Sequence, residues 1–214
     1  MGLRRALRLV AALALLAPTA GCVVIANTPT LDEAMAAHAY FLSVDASAHA
    51  LAPTRVEDVR VLTTEEARAA RPIALIIATP KLTSRIDLDP VYALARKTAA
   101  QLGANGIADV RVVGDTVHAT AFRTGDDRPL APAHDMALRV GGEPAAKVIA
   151  LIGVCDDVSP EEAGRRLGEL ARKVGANAVI RLELDLANRN ACPRNAVGHW
   201  AVYSLTGLAV SESR

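Results

Sequence analysis

The chain has 214 residues, 24 Lys and Arg against 23 Asp and Glu, and a formal net charge of +1. With no basic block it lacks an electrostatic footprint for nucleic acid, so none is expected as a partner. One Trp, three Tyr and two Phe leave the core to aliphatic packing and argue against pockets that stack sugars or bases on rings.

Three arginines (Arg4, Arg5, Arg8) precede nine apolar residues, Leu9 to Ala17, and then Pro18-Thr-Ala-Gly-Cys22. A basic stretch, a short apolar run and small residues form the order of a secretory signal. The run is too short for a helix to cross about 30 Å of hydrocarbon, which takes roughly 20 residues. Small residues ending in cysteine resemble a bacterial lipobox. That implies a lipoprotein signal peptide over 1–21 and a lipid-bearing N-terminus at Cys22, with the membrane as a partner through the anchor. An ordinary signal peptide, with Cys22 a bystander or Ala20 at the cut, is the alternative. Val23 in place of aspartate, by resemblance to Gram-negative lipoproteins, favours the outer membrane facing the periplasm. Removing residues 1–21 leaves 193, with 21 basic and 23 acidic residues and a net charge of −2. That length suits one large or two small domains.

Residues 22–54 read as a lipidated N-terminus, a short helix and a tether. Thr30-Leu-Asp-Glu33 is a capping box, and the helix it opens is predicted to run to about Tyr40. The alanines, His49 and Pro53 that follow suit an irregular approach.

An internal repeat comes next. Ile73-Ala-Leu-Ile76 recurs as Ile149-Ala-Leu-Ile152, and Leu94-Ala-Arg-Lys97 as Leu170-Ala-Arg-Lys173. Gly103-Ala-Asn105 recurs as Gly175-Ala-Asn177. Each copy starts with a β-rich run (56–62 and 136–140) and a continuously apolar strand (73–78 and 148–154). A helix follows, with Asp89 or Ser159 at its N-cap, Pro90 or Pro160 at its first position, and Gly103 or Gly175 past its end. Apolar or small residues at 91, 95, 98, 99, 102 and at 163, 167, 170, 171, 174 make the stripe of a helix lying on a sheet. A hairpin closes each copy, the first turning at Gly114-Asp115. The expected fold class is α+β: two tandem β-β-α-β-β repeats, 55–124 and 133–210, each with one helix packed on a small mixed sheet.

A right-handed strand–helix–strand crossover makes strands 148–154 and 179–185 parallel, so Cys155 and Cys192 lie at one edge of the sheet. That is the proximity a disulfide needs, and an exported chain favours one. Two free thiols, or a metal site with His199, are the competing readings, although the close paired spacing of metal cysteines is missing. Asp156-Asp157 and Asp126-Asp127 read as solvated turns, the first favoured by the following helix dipole. His38, His49, His118, His134 and His199 are scattered, and His118 reads as an ordinary strand-face residue. No nucleophile elbow, phosphate-cradling loop or dinucleotide fingerprint is present. No catalytic residue, metal ligand or cofactor is therefore assigned.

The sequence Gly175-Ala-Asn-Ala-Val-Ile180 between a helix and a strand resembles a small bacterial domain family. Its members include proteins labelled heavy-metal-binding and the Rcs-type envelope-stress sensor lipoprotein. The first copy departs from it at Gly106 and Ala108. The resemblance implies an α+β domain on the envelope, and the metal label carries over to no ligand set here. The expectation is a non-enzymatic, lipid-anchored envelope protein acting by contact with another envelope protein, as sensor, adaptor or assembly accessory. The alternative is a periplasmic ligand- or metal-binding module at the Cys155, Asp156, Asp157, Cys192 edge.

Overall fold

The computed structural model describes residues 37–46, 50–80, 88–125, 131–142, 147–156, 158–186, 192 and 201–212. Cys22, the signal segment, His49, Asp126-Asp127, Asp157 and His199 lie outside them.

Among the described residues the fold is α+β, with two mixed sheets and three α-helices. The first sheet contains β1 (Ala37–Ser43), β2 (Arg60–Val61), β3 (Arg71–Pro80), β4 (Gly106–Val113) and β5 (Thr116–Arg123), in the order β1-β3-β5-β4-β2. The second contains β6 (Ala137–Leu138), β7 (Lys147–Asp156), β8 (Ala178–Leu186) and β9 (Tyr203–Ser211), in the order β6-β8-β9-β7. Helix α1 (Thr64–Ala69) precedes β3, α2 (Leu88–Gln101) links β3 to β4, and α3 (Pro160–Lys173) links β7 to β8. β3 and β4 both run antiparallel to β5, and β7 and β8 both run antiparallel to β9, so α2 and α3 each join parallel strands with one strand between them.

Helix α3 starts where its sequence requires. Ser159 Oγ accepts from the Glu162 N–H at 3.1 Å, and Pro160 occupies the first turn of α3, where its missing N–H is no loss. Glu161 and Glu162 at that end, with Arg172 and Lys173 at the other, match the helix dipole. Asp89 falls inside the first turn of α2 rather than ahead of it, since that helix begins at Leu88.

The helix expected to run on to Tyr40 is corrected at its described end, because Ala37 to Ser43 is a strand paired antiparallel with β3. Its alternation explains the outcome. Tyr40, Leu42 and Val44 face one core while Ala39 and Phe41 pack against the other, a period of two that a strand satisfies and a helix does not. The expected strand 56–62 is also shorter than predicted. It divides into a 3-10 turn at Val56–Asp58 and the two-residue β2. The unforeseen α1 then opens on a reciprocal capping box between Thr63 and Glu66.

β3 reads as a continuous apolar run because both of its faces are covered. Ala74, Ile76 and Ala78 meet Val91, Ala95 and Ala99 of α2. Leu75 and Ile77 share a core with Leu42, with Ala163, Leu167 and Ala171 of α3, and with Leu182, Leu184 and Leu205 of the second sheet. Ile76 and Ile77 are each 1 % exposed, and burying such a side chain contributes about 1.5–3 kcal/mol. The approach of α3 to β1 is close enough to demand glycine. A Cβ on Gly164 would stand 2.8 Å from Leu42 Cδ1 and 3.0 Å from His134 Nε2.

Candidate functional site

Three polar constellations arise where the two sheets and α3 meet. The first is the edge chosen by the cysteine pattern. β7 delivers Cys155, the chain beyond β8 delivers Cys192, and the two form a disulfide with Cα atoms 5.7 Å apart. Cys192 is 1 % exposed. Both thiols are used in this bond, which removes them from any metal-ligand set. Asp156 beside them is 2 % exposed and fully occupied. Its Oδ1 accepts from the Val158 N–H at 2.7 Å, its Oδ2 pairs with Arg166 at 2.6 Å, and its carbonyl accepts from the Val202 N–H at 2.7 Å. This edge is a structural node that ties β7, α3 and the start of β9.

The second lies between β1, the inter-sheet linker and the N-terminus of α3. His134 Nε2 is 3.2 Å from the Ser43 carbonyl and 3.2 Å from Glu161 Oε2, while the Ser43 N–H donates to Glu161 Oε1 at 2.8 Å. Burial works to raise the Glu161 pKa. The hydrogen bonds from His134 and Ser43 outweigh it and hold this carboxylate below its ordinary 4.5. Close by, the buried Arg71 guanidinium pairs with the buried Asp45 carboxylate. Asp45 also bridges to Pro132 of the linker.

The third is a cleft of about 340 Å³ between the first sheet and β8, lined by Asp109, Arg111, His118, Thr120, Arg181 and Glu183 among others. It shares Asp109 and Val140 with a cavity of about 450 Å³ bordered by Phe122 and Arg139. Arg111 pairs with Glu183 across it at 2.6 Å. His118 is 4 % exposed, and its Nε2 lies 3.1 Å from Thr116 Oγ1 and 3.5 Å from Asp185 Oδ1. Thr116 donates its hydroxyl proton to the Val113 carbonyl at 2.7 Å. Burial pushes the His118 pKa below 6.5, Arg111 adds to the effect, and the opposing pull of Asp185 does not restore it.

Two backbone features mark this cleft. Asp109 and Arg181 are the non-glycine residues with positive φ among the described residues, and both have φ of 53°. Each sits at a register break, between Ala108 and Arg111 in β4 and between Ile180 and Glu183 in β8. Residues held in that region cost about 1–3 kcal/mol and collect at functional sites. The alternation Arg181-Leu-Glu183-Leu-Asp185 is plain in the sequence, and Leu182 and Leu184 are indeed buried. The destination of its charges, opposite Arg111 and His118, depends on packing between the sheets. Arg181 carries no sequence signal for this conformation, and Asp109 only the mild tolerance of aspartate for it.

Of the other histidines, His38 stacks on Tyr40 along β1, with ring centroids 6.4 Å apart. Among the described residues no group of three or more His, Cys, Asp and Glu is placed to hold a metal ion. No described helix is long and apolar enough to cross a membrane. Compared with known proteins, the chain matches no family model, no curated protein is similar to it in sequence, and no solved structure matches its fold.

Proposed function

We propose that this chain is a lipid-anchored protein of the bacterial cell envelope, held by Cys22, that acts through contact with another envelope protein and not as an enzyme. The observation that carries the reading is the Cys155–Cys192 disulfide. Such bonds form and persist in oxidising compartments, which fits the basic and apolar leader at 1–21 and leaves Cys22 as the third cysteine for lipid. Outer-membrane placement follows from Val23 by the sorting resemblance. The likeness of Gly175 to Ile180 to the envelope stress-sensor family points the same way.

We infer as well that residues 55–124 and 133–210 are two copies of one β-β-α-β-β unit. Read from β7, the second sheet runs β7-β9-β8-β6, against β3-β5-β4-β2 in the first. Gly103 and Gly175 have φ of 80° and 83° in corresponding turns. Asn105 brackets Thr124 with paired side-chain hydrogen bonds, and Asn177 brackets Glu212 in the same way. Asp109 and Arg181 complete the correspondence. The shared cleft is then where two copies of one hairpin meet. Its ion pairs are those of a display surface locked in one shape.

Mass spectrometry of protein extracted from membranes tests the anchor. A diacylglycerol adduct on an N-terminal Cys22 is expected, and an unmodified Cys22 or a cut at Ala20 would remove the premise. Crosslinking in intact envelopes then identifies the contact, and a catalytic turnover traced to the cleft would displace the contact reading.

A further inference from the structure

β7 is the end strand of the second sheet, and among the described residues no strand pairs with its outer edge. The strand in its place in the first sheet, β3, is covered there by β1, from Ala37 opposite Pro80 to Ser43 opposite Ala74. Both strands contain Ile-Ala-Leu-Ile, at 73–76 and 149–152. Edge strands normally guard themselves with charges, prolines, bulges or short length, because their open N–H and C=O groups template further pairing. β7 has ten residues, its register break lies near its start between Val148 and Ala150, and from Ala150 to Cys155 it carries neither a charge, a proline nor a break. Leu151 in its middle is 75 % exposed and Val148 44 %.

We propose that this edge pairs with the same edge of a second copy, antiparallel across a twofold axis, so that two four-stranded sheets become one continuous sheet. A second copy fits for three reasons. A twofold axis makes any strand edge complementary to itself, because the related strands run antiparallel and exchange the same hydrogen bonds. The charge pattern agrees, since Val148 to Cys155 carries no charge and the Asp156 carboxylate beyond it is already buried against Arg166. Antiparallel self-pairing therefore brings no like charges together along this stretch. Pairing centred on Leu151 also sets this exposed side chain against the second copy's Leu151 on the same face, closing an apolar contact over the dyad. The inference is independent of lipid on Cys22 and of the partner proposed above.

Sedimentation equilibrium of the full chain in detergent tests it. The wild type is expected to show a reversible monomer–dimer equilibrium. Leu151→Lys, which places two like charges on the axis, is expected to weaken it at least about tenfold. Val158→Lys changes a residue that is 72 % exposed and outside the strand, and it is expected to dimerise like the wild type. Both positions face solvent, and equal melting temperatures for the three proteins would show that folding is preserved. A wild type that stays monomeric at every concentration, or equal weakening by the two variants, would overturn the proposal. Hydrogen exchange separates the other occupants: monomers whose outward β7 amides are protected have the edge covered by their own chain. Amides protected only in a stoichiometric complex with a different protein assign the edge to that protein, and either result overturns self-pairing.

Discussion

Asp109 and Arg181 hold the same left-handed backbone conformation, φ of 53° in both, at matching bulges of β4 and β8, and both line the cleft between the sheets. The bulges re-aim the flanking strand residues, so that Arg111 and Glu183 face each other across the gap.

Glycine accepts this conformation without a Cβ penalty of about 1–2 kcal/mol, although it gives up some chain entropy. Arg181→Gly is therefore expected to leave stability unchanged or raise it by up to about 1 kcal/mol. A β-branched residue is least tolerant here, and Arg181→Val is expected to lower stability by about 1–2 kcal/mol. Urea denaturation decides the matter. Equal stabilities for the two variants would show that φ at 181 is relaxed in solution.

The disulfide closes a loop of 37 residues between Cys155 and Cys192. The variant with both cysteines changed to serine is expected to lose about 2–4 kcal/mol, and reduction of the wild type to lose a similar amount. Thermal melts with and without reductant measure both. A melting temperature indifferent to reductant would mean the bond is not formed in the purified protein.

Gly164 reverses the usual preference for alanine in a helix. Alanine normally gains about 1 kcal/mol over glycine there, but its Cβ would collide with Leu42 and His134. Gly164→Ala is expected to cost about 1–3 kcal/mol by overpacking. In a Leu42→Ala background the cost should shrink, because the nearest obstacle has gone. A double-mutant cycle reads this coupling directly, and additive effects would place the strain elsewhere.

His118 makes stability depend on pH with a definite sign. Its folded pKa lies below 6.5 because burial disfavours the imidazolium. The unfolded chain therefore binds the proton more readily. The contribution of the neutral ring is fully present above about pH 6.5 and is lost as pH falls toward the folded value. Glu161 adds a separate, more acidic loss. Its folded pKa lies below 4.5, so its share is present above that pH and disappears as pH falls through the folded value. Denaturation midpoints from pH 7 downward should show both declines, and His118→Asn should flatten only the first. An unchanged first decline in His118→Asn would assign it to another group.

The amino-acid sequence by itself determined the local elements. The apolar runs of β3 and β7, the N-cap at Ser159, Pro160 behind it and the glycines after both long helices are signals between residues a few positions apart, and each gives its element almost independently of context. The crossover rule added one long-range fact, the nearness of Cys155 and Cys192, because a helix between parallel strands leaves few alternatives. Only the tertiary structure decided what covers each element. Residues 37–43 became a strand because the open edge of β3 and the cores on its two faces rewarded alternation more than a capping box rewarded a helix. His118, Asp109, Arg111, Arg181 and Glu183 came together because strands of two sheets, far apart along the chain, share one core and one cleft. That packing depends on summed shape and burial, which no local spacing encodes. The bare edge of β7 belongs to the same class, since a strand's neighbours are a property of the assembled sheet.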